Sequence, residues 1–153
     1  MELEKLYELL ETLPEKKFDE IEAQFCTALY YEIPAEKRPL CVTAFLTIAD
    51  WSATSLRSGV WTFYEATPVR ELEKTAAFLE KTDEGELFTI FSLGIHDYQN
   101  PKYAENYDYP QEWMEEAEEI DSWVMEHETW LNGWKRKILL DYQEEITGMF
   151  MKF

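Results

Sequence analysis

YAENYDYPQEWMEEAEEIDSWVMEHETWLNGW, residues 103–134, decides how this chain is read. From Pro110 onward Trp113, Ala117, Ile120, Val124 and Leu131 recur at near-heptad steps, while Glu112, Glu115, Glu116, Glu119 and Glu126 take other positions. That is the period of a long amphipathic helix, an apolar stripe on one side and carboxylates around the rest. Asn132-Gly133 predicts a break, with Trp134 to Met149 as the last helix. Lys135-Arg136-Lys137 then stands at that break, where positive charge favours the C-terminal end of the preceding helix. The stretch contains ten carboxylates and no lysine or arginine, and it carries Trp113, Trp123, Trp130 and Trp134, four of the six tryptophans.

The segments before it carry the same period. Leu3, Leu6, Leu10 and Leu13 predict a helix over residues 2–13, stopped by Pro14. Phe18, Ile21, Phe25, Ala28 and Leu29 predict a second, ended by Ile33-Pro34, and the two make a helical hairpin. Pro39 suits the first turn of a third helix reaching about Trp51, apolar on most sides and therefore central to the core. Residues 52–67 are ambiguous: Val60, Trp61, Phe63 and Tyr64 favour a strand by propensity, whereas Gly59 equally begins a helical turn. We read a loop leading into a short helix. Thr67-Pro68 predicts an N-cap and first-turn pair, with Val69, Leu72, Ala76 and Leu79 inward. Thr82 or Asp83 is expected to cap the next helix, which carries Glu86 in its first turn, Leu87, Ile90, Phe91 and Leu93 inside, and Gly94 near its end. Tyr98 to Pro110 reads as the one substantial loop. The expected class is all-α, a single domain over residues 1–153 of roughly seven or eight helices.

Composition narrows the function. Apolar residues make up 46% and aromatics 16%, which is incompatible with a disordered acidic tail. The formal charge is −18, from 32 acids against 14 bases. A magnitude of roughly 2–8 suffices for solubility in a small domain, so this value calls for another reason. Direct binding to nucleic acid or an anionic membrane is disfavoured, because phosphates would be repelled, and a cationic partner is favoured. Cys26 and Cys41 lack metal or redox spacing and read as reduced core thiols of a cytoplasmic protein with no signal peptide. No apolar run is long enough to span a bilayer.

Each catalytic reading lacks a part. Two histidines leave little room for a nucleophile–base pair, and no GxSxG elbow occurs. The five glycines are scattered, without a phosphate-binding fingerprint. A di-iron bundle needs Glu three residues before His, but Leu93 precedes His96 and Val124 precedes His127 at that spacing. His127 is expected at a helix boundary rather than in a metal cluster with Glu126 and Glu128. No enzyme activity and no cofactor or metal are expected.

Binding remains. Glu112, Glu115, Glu116 and Glu119 form a closely spaced row, since residues three and four apart lie about 5–6 Å apart at Cβ. Duplex DNA presents a charge per about 3.4 Å of each strand, so carboxylate rows on neighbouring helices approach its charge density. Glu4, Glu8, Glu11, Glu15, Asp19 and Glu22 of the first hairpin would extend the row if it packs alongside. The plainer alternative is a solvated helix face rich in good helix formers. Likewise the loop tyrosines, Tyr98, Tyr103, Tyr107 and Tyr109, either cover the edge of the core or form part of a binding surface.

Ser58-Gly59-Val60-Trp61-Thr62-Phe63-Tyr64 resembles the glycine-then-aromatics stretch of the bacterial DNA-mimic protein family, an all-helical family. Phe91-Ser92-Leu93-Gly94-Ile95 is similar to the end of one of that family's helices, and Ile120-Asp121 with Leu139-Leu140-Asp141-Tyr142 to its C-terminal part. The resemblance runs from about Ser58 to Ile146 through short, permissive motifs. Arg57-Ser58 stands where the pattern has Asn-Gly, and Glu65 where it has Asn. The resemblance implies an acidic homodimer whose carboxylates imitate duplex DNA and occupy a transcription factor or nucleoid-type protein. Charge clustering, not motif, nominates the partner-binding residues: Glu105, Asp108, Glu112, Glu115, Glu116, Glu118, Glu119 and Asp121. The rival expectation is an immunity-type protein that neutralises a cationic toxin domain, with the Tyr-rich loop as a shape-specific anchor.

Overall fold

The structure, a computed structural model, describes residues 2–82 and 84–150. Among them the regular structure is entirely helical: α1 Leu3–Thr12, α2 Asp19–Glu32, α3 Leu40–Ser58, α4 Trp61–Ala66, α5 Val69–Lys81, α6 Gly85–Leu93, α7 Pro101–Ala104, α8 Gln111–Glu126, α9 Glu128–Asp141 and α10 Gln143–Phe150. Short 3-10 turns follow Pro14 and Pro34. The all-α expectation therefore holds: α4 is the short helix expected within residues 52–67, whereas α7 and the division of the expected last helix into α9 and α10 are additions. Where one domain was expected, the chain divides into two compact units, one formed up to Leu46 and from Glu128 on, the other by Thr47–His127.

In the first unit α1 and α2 pair as the expected hairpin, with Tyr7 edge-on to Phe25 at 5.2 Å. Pro14 and Pro34 end their helices as the backbone rules require: Leu13 and Ile33, each just before a proline, are extended. The Tyr7 hydroxyl donates to the Leu139 carbonyl of α9 at 2.9 Å, a bond across 132 residues in a core that also buries Leu6, Phe25 and Ile138.

The expected break at Asn132-Gly133 is corrected. Both residues lie inside α9, and the helix changes at His127, which caps α8. Glycine lowers helix propensity by about 1 kcal/mol relative to alanine, too little to outweigh burial of Leu131, Trp134 and Ile138 on either side. Lys135-Arg136-Lys137 consequently sits within α9 and not at a helix end. Lys135 is only 4% exposed and is hydrogen-bonded and ion-paired to Glu22, while Arg136 donates to the Leu10 carbonyl at 3.4 Å.

In the second unit α3 continues past Trp51 to Ser58, because Ser52, Thr54 and Ser55 are buried polar residues that extend the inward face. Ser52 and Ser58 return their hydroxyls to helix carbonyls. Gly59 then adopts φ 95°, a left-handed conformation that glycine alone takes without strain, and its N–H closes on Ser55 O at 3.3 Å. The chain turns at once into α4. Thr67 ends α4 and does not cap α5; Pro68 occupies the cap position, without a side-chain cap bond. Thr82 bonds back to Phe78 O at 2.9 Å at the end of α5, so the cap of α6 falls to Glu84; Asp83 lies outside the described residues.

Candidate partner-binding face

Helix α8 is held by one side. Ala117, Ile120 and Val124 are buried, and at about 100° per residue they define a single inward stripe. On the same wheel Glu112, Glu115, Glu119 and Glu126 fall within about 60° of one another, turned away from that stripe, along about 21 Å of axis. Glu118 flanks them. All five are exposed, and among the described residues no lysine or arginine lies within ion-pair distance of any of them. Five charges over that length give one per about 4–5 Å, close to the about 3.4 Å of one DNA strand. Glu126 belongs to this row although its neighbours alone were nominated.

The eight nominated residues separate into three groups. Glu112, Glu115, Glu118 and Glu119 share the outer face. Glu105 and Asp108 are exposed on the segment between α7 and α8. Glu116 and Asp121 turn toward the protein and are spent on it.

Glu116 Oε1 meets His96 Nε2 at 2.9 Å, and the His96 ring stacks on Trp113 at 4.6 Å with planes 7° apart. Asp121 Oδ1 accepts from Ser55 Oγ at 2.6 Å and from the Val60 backbone N–H at 2.9 Å. It therefore satisfies a donor at the start of α4 and pins the Gly59 turn to α8. Both carboxylates are thus engaged within the protein.

Beneath α8 lies an aromatic core. Trp51 Nε1 donates to Tyr64 Oη at 2.9 Å, and Tyr64 Oη donates to the Phe91 carbonyl at 2.7 Å. Full burial holds the Tyr64 hydroxyl well above its ordinary range, so it serves as a permanent donor. The Tyr-rich loop belongs largely to this core. Tyr98 and Tyr109 are buried, Tyr103 rests on Trp113 at 5.1 Å, and Tyr109 donates to Glu65 Oε2 at 2.6 Å. Tyr107, with φ 52°, is 68% exposed and alone of the four faces solvent fully. The tryptophans behave similarly: Trp134 is buried, Trp113 and Trp123 each stack on a histidine, and Trp130 is the exposed one of the four.

Charge is unevenly divided between the units. Residues 47–127 hold 18 acids and 5 bases, a net −13; the remainder holds 14 acids and 9 bases, a net −5. Glu22, one of the hairpin acids nominated to lengthen the row, is committed to Lys135. Among the described residues no helix is long and apolar enough to cross a membrane. Comparison with protein-family models, curated proteins and solved structures finds no match to this chain.

Proposed function

We propose that this is a non-enzymatic, cytoplasmic binding protein whose α8 carboxylate row occupies the basic, DNA-binding face of a partner protein. The observation that carries the reading is the row itself: five exposed carboxylates on one side of one helix, without lysine or arginine partners among the described residues, on a unit of net charge −13. A helix face serving only solubility has no need to exclude bases, since interspersed charges of both signs give helix-stabilising pairs. Attraction of this kind is long-range, steers association and weakens with salt. Burial of Tyr98 and Tyr109 leaves Tyr107 as the one fully exposed ring of the loop, a smaller aromatic anchor than the toxin-neutralising reading expects.

The test is affinity capture from the host lysate with elution by added duplex DNA. A basic DNA-binding protein released by DNA and by rising salt is the expected outcome; recovery of no such protein rejects the reading. With the partner in hand, joint replacement of Glu112, Glu115, Glu118 and Glu119 by Gln should leave the far-UV circular dichroism intact and weaken binding at least about tenfold. Unchanged affinity would move the interface off α8.

A further inference from the structure

Helix α2 contains a run without charge. From Ala23 to Tyr31 the sequence reads AQFCTALYY, in a chain of which 30% of the residues are charged. Phe25 and Leu29 of that run, with Ile21 before it, take the inner side of the helix. At about 100° per residue Ala23, Gln24, Thr27 and Tyr31 fall within about 100° of one another on the opposite side, and all four are exposed. Burial in the core therefore accounts for the inner residues and not for these. Thr27 returns its hydroxyl to the Ala23 carbonyl at 2.9 Å, which leaves its methyl group for packing. With Ala28 and Glu32 the four exposed residues line a groove of about 300 Å³.

Tyr31 is 79% exposed, more than any other large apolar side chain among the described residues, and Tyr30 is 54% exposed. Both rings are nevertheless held. Arg38 donates from Nη2 to the Tyr30 carbonyl at 2.7 Å and from Nε to the Ile33 carbonyl at 3.1 Å, and its guanidinium lies 4.9 Å from the centre of the Tyr30 ring. Tyr30 in turn meets Tyr31 edge-on at 5.0 Å, with planes 79° apart. A ring steadied in this way loses little freedom on docking, and tyrosine is enriched where proteins meet.

Gln24, Thr27, Ala28 and Tyr31 stand at i, i+3, i+4 and i+7, the spacing of the four residues that form a hole for a side chain of a facing helix. A projecting ring that fits such a hole sits on the same helix. We propose that the outer side of α2 is a self-association face, on which a second copy of the chain docks antiparallel and each Tyr31 enters the groove of the other. Charge selects this occupant. The basic partner proposed for α8 finds no carboxylate in the run and a nucleic acid finds no base, whereas a second copy brings a face as uncharged as the first. Glu20 and Glu32 stand at the two ends of the run, and Glu22 is committed to Lys135. A two-fold pairing closes on itself, so the product is a dimer. Three helical turns make an interface below about 1,200 Å², which places the association in the micromolar range. Each chain carries −18, so the dimer forms against like-charge repulsion and salt strengthens it. That is the opposite of the salt effect on the α8 row, and either assignment can fail without the other.

Sedimentation velocity on the full chain, from about 5 to about 500 µM and at about 0.1 and about 0.5 M salt, tests the proposal. A monomer–dimer equilibrium is expected, with an association constant at least about threefold higher in the higher salt. Thr27→Glu and Thr27→Lys each add a charge at an exposed position with a residue that suits a helix, and circular dichroism checks that both fold. Each alone should lower the association constant at least about tenfold, because the two-fold axis brings like charges together, and an equimolar mixture should recover most of the loss. Tyr31→Ala should weaken association to the same degree. A chain that stays monomeric throughout overturns the proposal. So does a dimer indifferent to Thr27→Glu, or a mixture that associates no better than its two components.

Discussion

Asp121 offers the sharpest perturbation, because its charge belongs to the base-free stretch while its bonds belong to the fold. Its Oδ1 accepts two hydrogen bonds, from Ser55 Oγ at 2.6 Å and from Val60 N–H at 2.9 Å, and the Val60 residue is fully buried. Bonds to a charged acceptor contribute about 1.5–3 kcal/mol each, and a buried donor left without a partner adds its own desolvation penalty. Ser55 can turn its hydroxyl elsewhere; the Val60 amide cannot. Asp121→Ala should therefore destabilise by about 3–5 kcal/mol, a large part of the about 5–15 kcal/mol typical of a folded domain. Asp121→Asn should cost about 1–2 kcal/mol, since one carbonyl oxygen can accept both bonds and only the charge assistance is lost. Urea unfolding followed by tryptophan fluorescence reads the difference, because buried Trp51 lies 6.2 Å from Trp123 in the same unit. With a urea slope of about 2 kcal/mol per molar, alanine should lower the midpoint by roughly 2 M and asparagine by under about 1 M. An alanine variant as stable as the parent, or an asparagine variant that loses partner affinity without losing stability, would refute the assignment of Asp121 to the fold.

Three further outcomes are expected. Gly133→Ala should be neutral or stabilising by up to about 1 kcal/mol, because Gly133 is mid-helix in α9 and an added Cβ meets only the mobile carboxylate end of Glu15; a loss above about 1 kcal/mol in thermal melts would restore the break there. Gly94→Ala should lower the melting temperature by at least about 4 °C, since its Cβ would overlap the ring of buried Tyr64, which is held by bonds to Trp51 and Phe91; an unchanged melt would show that the ring can retreat. Burial, then Glu145, pushes the Cys41 thiol up to about 12, so a thiol reagent at about pH 8 should modify one cysteine, the half-buried Cys26, in the native protein and both after unfolding. The same shift makes unfolding release a proton between about pH 9 and about pH 12, so stability should fall as pH rises through that range; a flat alkaline profile would contradict it.

The helices were legible wherever apolar residues recur at helical spacing and a proline marks a boundary, the end of α1 and α2 and the start of α8. The reading failed where a weak local signal was outweighed by burial. Asn132-Gly133 looked like a break, yet Leu131, Trp134 and Ile138 keep α9 continuous, and buried Ser52, Thr54 and Ser55 carry α3 beyond Trp51. The tyrosines were ambiguous for a related reason: an amphipathic ring suits a core edge and a surface equally, and only packing against Trp113 and Tyr64 assigns Tyr98 to the interior. For the stacking of His127 on Trp123 the local trace was their spacing, four residues apart along the chain.

The sequence alone determined the helical class and an acidic row read as Glu112, Glu115, Glu116 and Glu119, because the period of a helix is a local property and a base-free stretch offers its acids no neighbouring partner. Which acids leave that row was decided only by tertiary structure. Asp121 finds Ser55 across 66 residues and Glu116 finds His96 across 20, and such pairings depend on which faces of α3, α6 and α8 the buried aromatic core brings together. A carboxylate's type and spacing are the same whether it meets solvent or a donor from another helix; its environment exists only once the chain has packed.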